Sequence, residues 1–193
     1  QAMATLAEMF PRRLVTCLGS GEASNEHITG DRWPPKAERN ARLRECAEVI
    51  RALLAGDEVT HRGLVHVDRA RLWSRPPEPP PLFGAAVSPE TARWLGGWAD
   101  GLATVHQPPD ALARVVAAFR EGGGEGKPML LQTHVSWADD DDAALAIAWD
   151  QWRSNVFAPP IPWDLETPEH FDALADHVRP EDVTGTVIVS SDP

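Results

Sequence analysis

A short apolar run followed at once by a glycine-bounded loop is the feature that constrains the fold most. The run covers residues 14–18, the loop opens with Gly19 and Gly21, and a long amphipathic segment begins after Pro35. An apolar run of this length before a helical pattern predicts a buried parallel strand. Ligands of α/β folds gather at the carboxyl ends of such strands. We therefore expect the functional chemistry at this loop.

Two side chains of the loop carry groups suited to chemistry. Glu22 supplies a titratable carboxylate, and Asn25, three residues later, supplies an amide that both donates and accepts hydrogen bonds. Gly19 and Gly21 let the backbone approach a flat or phosphorylated ligand closely, because neither has a Cβ. The loop is therefore a candidate ligand site.

A structural alternative stands beside this interpretation. Gly-x-Gly after a strand is common, and Ser20, Ser24 or Asn25 could simply cap a short helix. The loop also matches neither of two better-known patterns, the Gly-x-x-x-x-Gly-Lys-Ser/Thr phosphate loop and the Gly-x-Ser-x-Gly nucleophile turn. From spacing alone, both interpretations remain open.

The rest of the chain alternates between strand and helix patterns. Further strands are predicted over residues 82–86, 102–105, 129–137 and 187–189, and helices over residues 1–10, 36–54, 89–95 and 109–120, with two more beginning near Asp139 and Thr167. Such alternation predicts a parallel sheet and the α/β class. The pattern alone does not separate a barrel from a doubly wound sheet.

Two segments invite a metal hypothesis that we do not favour. Residues 59–67 alternate like a hairpin with a two-residue turn at Arg62-Gly63, which would place His61 and His66 diagonally on one face. A third and fourth ligand are missing from the pattern. The run 139–142 is all aspartate, but it opens a helix, whose positive end carboxylates stabilise. We predict no metal site.

Composition excludes several classes of partner. The formal net charge is −11 and the isoelectric point is near 5.0, which argue against a nucleic-acid or anionic-membrane surface. No apolar run approaches the length that spans a bilayer. Cys17 and Cys46 do not form a disulfide framework, and we expect both to be reduced packing residues in a cytoplasmic protein.

Both ends of the chain look internal to a longer sequence. Gln1 opens directly into a helical pattern, and Ser191-Asp192-Pro193 has the composition of a helix start. We therefore expect residues 1–193 to form a single partial domain, truncated at both ends.

The loop sequence resembles one family. Gly19-Ser20-Gly21-Glu22-Ala23-Ser24-Asn25-Glu26, continuing to Pro35, resembles the luciferase-like oxidoreductases that use the deazaflavin coenzyme F420, in the branch of F420-dependent glucose-6-phosphate dehydrogenase. The resemblance extends to the hairpin at Arg62-Gly63, to residues 82–89 and to Trp98-Ala99-Asp100-Gly101.

The resemblance implies a fold and a reaction. The fold would be part of a (β/α)8 TIM barrel of the bacterial luciferase-like type, about strands four to seven, and the full-length protein would be a homodimer. The reaction would be hydride transfer between coenzyme F420 and a small-molecule substrate, alcohol- or sugar-like. Two alternatives remain: an FMN-dependent monooxygenase of the same superfamily, and an incomplete chain without catalytic activity.

The resemblance also assigns roles to residues. Glu22 would be the catalytic acid that supplies a proton beside N1 of the deazaflavin, a role that burial favours. The residues expected to bind the cofactor are Ser20, Gly21, Asn25, Val87, Ser88, Glu90 and Thr91. Val87 and Ser88 stand where the family usually has two glycines. The family's substrate histidine and a cofactor-contacting aspartate belong to strands outside this chain.

The implied substrate differs from that of the sugar-phosphate enzyme. That enzyme anchors phosphate with a threonine, a lysine and an arginine, and the corresponding positions here hold Val105, Pro108 and Thr186. Without those cations a phosphate loses charge-assisted hydrogen bonds. We therefore predict that glucose 6-phosphate is not the substrate.

Overall fold

Helices and strands alternate along residues 1–192, which the computed structural model describes. The predicted helix start at Ser191 runs into Pro193, which lies outside the described residues. The helices are α1 (Ala2–Met9), α2 (Ala23–Glu26), α3 (Lys36–Ala55), α4 (Pro89–Gly96), α5 (Pro109–Phe119), α6 (Asp141–Trp152), α7 (Ile161–Asp164) and α8 (Pro168–Ala175). The strands are β1 (Thr16–Leu18), β2 (Val59–Arg62), β3 (His66–Ala70), β4 (Leu82–Ala85), β5 (Gly101–Val105), β6 (Met129–Gln132), β7 (His134–Trp137) and β8 (Val187–Ser190).

Parallel pairing confirms the predicted α/β class. One four-stranded sheet has the order β1-β4-β5-β6. Within it β1 runs parallel to β4, with Leu18 opposite Gly84, and β4 runs parallel to β5, with Phe83 opposite Gly101. Strands β7 and β8 form a separate parallel pair, and β2 and β3 form an antiparallel hairpin. The carboxyl ends of β1 and β4 therefore lie at one edge of the sheet.

The chain divides into two compact units, each with its own core. The first comprises residues 1–20, 34–103 and 115–130, and the second comprises residues 21–33, 104–114 and those from 131 onward. In the first unit the apolar faces of α4 and α5 pack with β5 through a cluster that includes Leu95, Leu102, Val115 and Phe119. In the second unit Ala148, Val178, Val183 and Val187 form the buried cluster.

Helix α3 follows from its sequence pattern. Leu43, Ala47 and Leu54 recur at helical spacing and are buried, which gives the helix one apolar stripe. It ends at Gly56, whose left-handed backbone (φ 105°) places its N–H on the carbonyl oxygens of Ala52 and Leu53. The predicted end of this helix is confirmed.

The start of β4 is joined to α3 through one carboxylate. Asp100 accepts hydrogen bonds from the backbone N–H of Leu82 and from the guanidinium of Arg51, each at 2.8 Å. Arg51 also donates to the carbonyl oxygen of Trp98 at 2.9 Å. Because these are charge-assisted bonds at partly buried positions, they fix the strand against the helix more firmly than an exposed ion pair would.

The hairpin has a different turn from the one predicted. Arg62 pairs with His66, so three residues rather than two make the turn, and His61 pairs with Val67. Opposed residues share a face and neighbours alternate, so His61 and His66 lie on opposite faces. The imidazole of His61 is 2.9 Å from the carboxylate of Glu45 on α3, and this bond, with the Val65 N–H, holds the pKa of Glu45 below its usual range.

Two strand predictions were wrong in part. The segment 129–137 forms two strands, β6 and β7, which belong to different sheets and are separated at Thr133. Strand β1 is not buried throughout: Thr16 and Leu18 are half-buried, whereas Cys17 is exposed. Alternating side chains point to opposite faces of a strand, and the face that carries Cys17 is not covered by residues 1–192. Cys17 is thus not the packing residue that we expected.

The buried ring of Phe119 supports a stability prediction. Phe119 has no exposed surface, so Phe119→Ala should lower the free energy of unfolding by about 3–5 kcal/mol. Urea denaturation followed by tryptophan fluorescence measures this change. Phe10→Ala is the matched control, because Phe10 is 48% exposed and its loss should cost about 1 kcal/mol or less. Equal effects of the two substitutions would contradict the assignment of Phe119 to the core.

Candidate functional site

The loop after β1 turns at Gly21. Its backbone has a φ of +87°, and a Cβ at this position would overlap the carboxylate of Glu26. The left-handed backbone therefore favours glycine, whereas the Glu26 carboxylate is the end of a flexible side chain that could move aside. At Gly19, by contrast, a Cβ would only touch that of Ala85 at 4.0 Å, an ordinary contact. That contact places the ends of β1 and β4 side by side.

Glu22 and Asn25 are brought together as their spacing suggested. The amide Nδ2 of Asn25 donates to Oε2 of Glu22 at 3.3 Å. Glu22 occupies the N-cap position of α2, and its carbonyl oxygen accepts the N–H groups of Asn25 and Glu26 at 3.1 Å. Its carboxylate makes no cap hydrogen bond, and neither Ser24 nor Asn25 is the cap. Both side chains are exposed, so the Asn25 amide and the Glu22 carboxylate can also form hydrogen bonds with a ligand.

The expected burial of Glu22 is not found. Both Glu22 and Asn25 are exposed in the second unit. The reason is local: α2 is a four-residue helix, and only Ala23 among its residues turns inward and is buried. Residues 1–192 by themselves therefore leave this carboxylate in contact with water.

The start of α4 carries the other predicted binding residues. Ser88 is the N-cap: its Oγ accepts the N–H of Thr91 at 3.4 Å and donates to Oγ1 of Thr91 at 3.1 Å. Thr91 is buried at 6% exposure, Val87 and Ser88 are half-buried, and Glu90 is exposed. Ser20 and Val87 follow β1 and β4 at the same edge of the sheet.

A charged group near this helix start was missed by the sequence analysis. Lys36 begins α3, and burial, together with the charge of Arg39, lowers its pKa, while the carboxylate of Glu90 opposes that shift. Arg39 is itself buried at 4% exposure. A cation in the first turn of a helix is unfavourable, because the N-terminus of the helix carries a partial positive charge. Lys36 in the sequence therefore indicated that an acidic group, which the structure shows to be Glu90, interacts with it.

Trp33 has a long-range partner. Its indole Nε1–H donates to Oδ1 of Asp164 at 2.8 Å, across 131 positions of sequence. No local sequence pattern connects Trp33 with Asp164, because the two residues are distant in the chain. The two side chains belong to the same unit, where α2 also contacts α7.

Polar side chains also cluster where β5 ends and β7 begins. Thr104 is buried and accepts from Nε2 of Gln107 at 3.4 Å. His134 lies 3.1 Å from the amide of Gln132 and stacks on Trp152 with ring centroids 3.9 Å apart. Thr186 donates to the carbonyl oxygen of Val183 at 3.1 Å. None of these contacts includes a cation.

Metal binding and membrane spanning find no support within residues 1–192. The described residues contain no group of three or more histidine, cysteine or acidic side chains arranged to hold a metal ion. Asp140 instead caps α6 by accepting the N–H of Ala143 at 2.8 Å, as predicted for this aspartate run. None of the described helices combines the length and the apolar character needed to cross a bilayer.

Sequence comparisons connect the whole chain to one family. The family described as luciferase-like monooxygenase matches residues 1–192. A protein named F420-dependent glucose-6-phosphate dehydrogenase from Nakamurella multipartita is 33% identical over the whole chain, and one of the same name from Gordonia bronchialis is 31% identical. The chain spans 59% and 60% of their lengths.

Solved structures agree with this assignment. An F420-dependent secondary alcohol dehydrogenase, solved in complex with an F420–acetone adduct, superposes on 98% of the chain with a TM-score of 0.87 and 28% identity; the chain covers 60% of it. The coenzyme F420-dependent tetrahydromethanopterin reductase from Methanopyrus kandleri superposes with a TM-score of 0.71 at 18% identity, over 98% of this chain and 65% of the reductase. These matches confirm the predicted fold class.

The cap of α4 supports a second stability prediction. Ser88→Ala removes the acceptor for the Thr91 N–H and should lower the free energy of unfolding by about 1 kcal/mol. Ser88→Asp keeps an acceptor and should retain most of the wild-type stability. Chemical denaturation measures both variants, with Ser74→Ala as the control at an exposed serine. A Ser88→Ala variant as stable as the wild type would show that the cap contributes nothing.

Proposed function

The chain belongs to the luciferase-like monooxygenase family, and from this premise we propose that it is part of an oxidoreductase that uses coenzyme F420. The F420-dependent relatives and the F420-dependent secondary alcohol dehydrogenase to which the chain is similar support the cofactor. The observation on which the proposal rests is the Glu22–Asn25 hydrogen bond at the carboxyl end of β1. The predicted homodimer and cytoplasmic location stay predictions.

The residues present suit a flat polar ring. Glu22 and Asn25 are exposed and supply an acid and an amide, which match the carbonyl oxygens and ring nitrogens of a deazaflavin. Ser20 and Val87 follow neighbouring parallel strands, where ligands of α/β folds bind. Ser88 and Thr91 pair with each other at the start of α4, so they shape the helix end rather than offer free groups. We propose that the deazaflavin ring binds at Gly21, Glu22 and Asn25.

The chain's own residues would handle the proton. Coenzyme F420, when bound, accepts or supplies the hydride. Glu22 would hold on its carboxyl group the proton that the N1 side of the ring requires, and the Asn25 amide would orient that group through Oε2. Because Glu22 is exposed in this chain, the ligand itself would have to exclude water from it.

A substitution tests the role of Glu22. Glu22→Gln keeps the shape and a hydrogen-bonding group but loses the titratable proton, so hydride transfer by the full-length protein should fall about 10²–10⁴-fold. Binding of F420, followed by absorbance or fluorescence, should change little. Asp31→Asn, a charge-matched change at an exposed position of the same loop, serves as the control.

Two outcomes would contradict this proposal. Unchanged hydride transfer in Glu22→Gln would remove the assigned role. Saturable binding of FMN but not of F420 would favour an FMN-dependent monooxygenase, and binding of neither would identify a non-catalytic chain.

We further propose an alcohol substrate that carries no phosphate. The resemblance implies that the threonine, the lysine and the arginine that anchor phosphate in the sugar-phosphate enzyme correspond here to Val105, Pro108 and Thr186. Thr186 is engaged with a backbone carbonyl group and offers no charge. The name of the secondary alcohol dehydrogenase that superposes on the chain supports an alcohol-bearing carbon as the hydride donor.

Steady-state kinetics test the substrate class. We expect kcat/KM for glucose 6-phosphate to lie at least about tenfold below that for a small secondary alcohol such as 2-propanol, because each charge-assisted bond to phosphate contributes about 1.5–3 kcal/mol. The double variant Pro108→Lys with Thr186→Arg should raise activity on glucose 6-phosphate, with Pro108→Gln and Thr186→Gln as the neutral control. Efficient turnover of glucose 6-phosphate by the unmodified protein would refute the proposal.

A further inference from the structure

The loop that carries Glu22 and Asn25 has little regular structure of its own. Its helix α2 spans four residues, far below the length at which an isolated helix is stable in water. Several of its side-chain bonds are local: His27 bonds to the carbonyl group of Ala23, and Thr29 donates to that of Glu26. Such bonds shape the loop but do not fix its position on the protein, so tertiary contacts must do so.

One such contact joins the loop to a distant segment. The Trp33–Asp164 hydrogen bond, which we call the loop anchor, joins a single indole donor to a carboxylate at 2.8 Å. Bonds of this charge-assisted kind are shorter and stronger than those between neutral groups. Helix α2, at the other end of the same loop segment, contacts α7, whose last residue is Asp164. Residues 21–33 are therefore held at two places by one short element.

Helix α7 is suited to act as a support. Its backbone turn is closed by hydrogen bonds from Ile161 to Ala158 and from Trp163 to Pro160. The segment contains Pro159, Pro160 and Pro162, which have fewer backbone conformations available than other residues. Because these prolines restrict the backbone of α7, a loop bonded to α7 occupies a narrower range of positions than a loop bonded to a flexible segment.

We propose that Asp164 is a positioning residue, which through Trp33 holds the Glu22–Asn25 loop in its reactive place. This inference rests on the proposed function for its catalytic consequence. Proton transfer depends on sub-ångström placement, so release of the loop should lower the rate of hydride transfer more than it lowers the affinity for F420. The expected signature is a fall in kcat with a dissociation constant for F420 that is nearly unchanged.

Four variants of the full-length protein test the anchor. Asp164→Ala and Trp33→Phe should each lower kcat about tenfold and leave the F420 dissociation constant within about twofold. The double variant should be no slower than either single one, because both remove the same bond. Asp164→Asn keeps an acceptor oxygen and should recover most of the rate. Asp172→Ala, at an exposed aspartate of α8, is the control for loss of a carboxylate.

Hydrogen–deuterium exchange supplies a readout that does not depend on activity. Exchange across residues 21–33 should speed up in Asp164→Ala and Trp33→Phe, and should stay near the wild-type rate in Asp164→Asn and Asp172→Ala. Unchanged exchange in the first two variants, or additive losses of kcat in the double variant, would overturn the anchor. A wild-type protein without F420-dependent hydride transfer would overturn the proposed function instead, and exchange would still decide whether the anchor exists.

Discussion

The parallel pairing of β1 with β4 is the constraint on which the candidate site depends. Thr16 lies opposite Leu82 and Leu18 opposite Gly84, so the two strands end at the same edge. A parallel register cannot be made by a tight turn, and here the connection contains α3 and the β2–β3 hairpin. Strands β1 and β4 become neighbours only through this pairing, although about sixty residues separate them in sequence.

Local rules predicted the parts of the structure that local rules determine. Ser88 caps the helix predicted over residues 89–95, and Gly56 ends the helix predicted over residues 36–54, because each satisfies backbone groups within one turn of itself. The Glu22–Asn25 pair was foreseeable for the same reason, since three residues separate its members. The strand order β1-β4-β5-β6 is a property that no local pattern encodes.

The errors arose where distant contacts decide the outcome. The turn occupies residues 63–65 instead of 62–63, so the partner of His61 moves by three residues, to Val67. An odd shift exchanges the two faces of a strand, so His61 contacts Glu45 and does not share a face with His66. Residues 129–137 read as one apolar strand because nothing local shows that β6 and β7 pair with different neighbours. The contact of Asp164 could not be predicted for the same reason, because its partner, Trp33, is 131 positions away.

Gly96, in α4, and Gly122, after α5, lie where two backbone segments are in direct contact. A Cβ on Gly96 would overlap the carbonyl oxygen of Phe119, and one on Gly122 would overlap that of Arg93. Two backbones therefore touch where no side chain fits. Gly96 is the last residue of α4, and Ser88 caps the opposite end of the same helix. Larger residues at either glycine would therefore have to move α4 relative to the segment after α5, and the Ser88 cap would move with the helix.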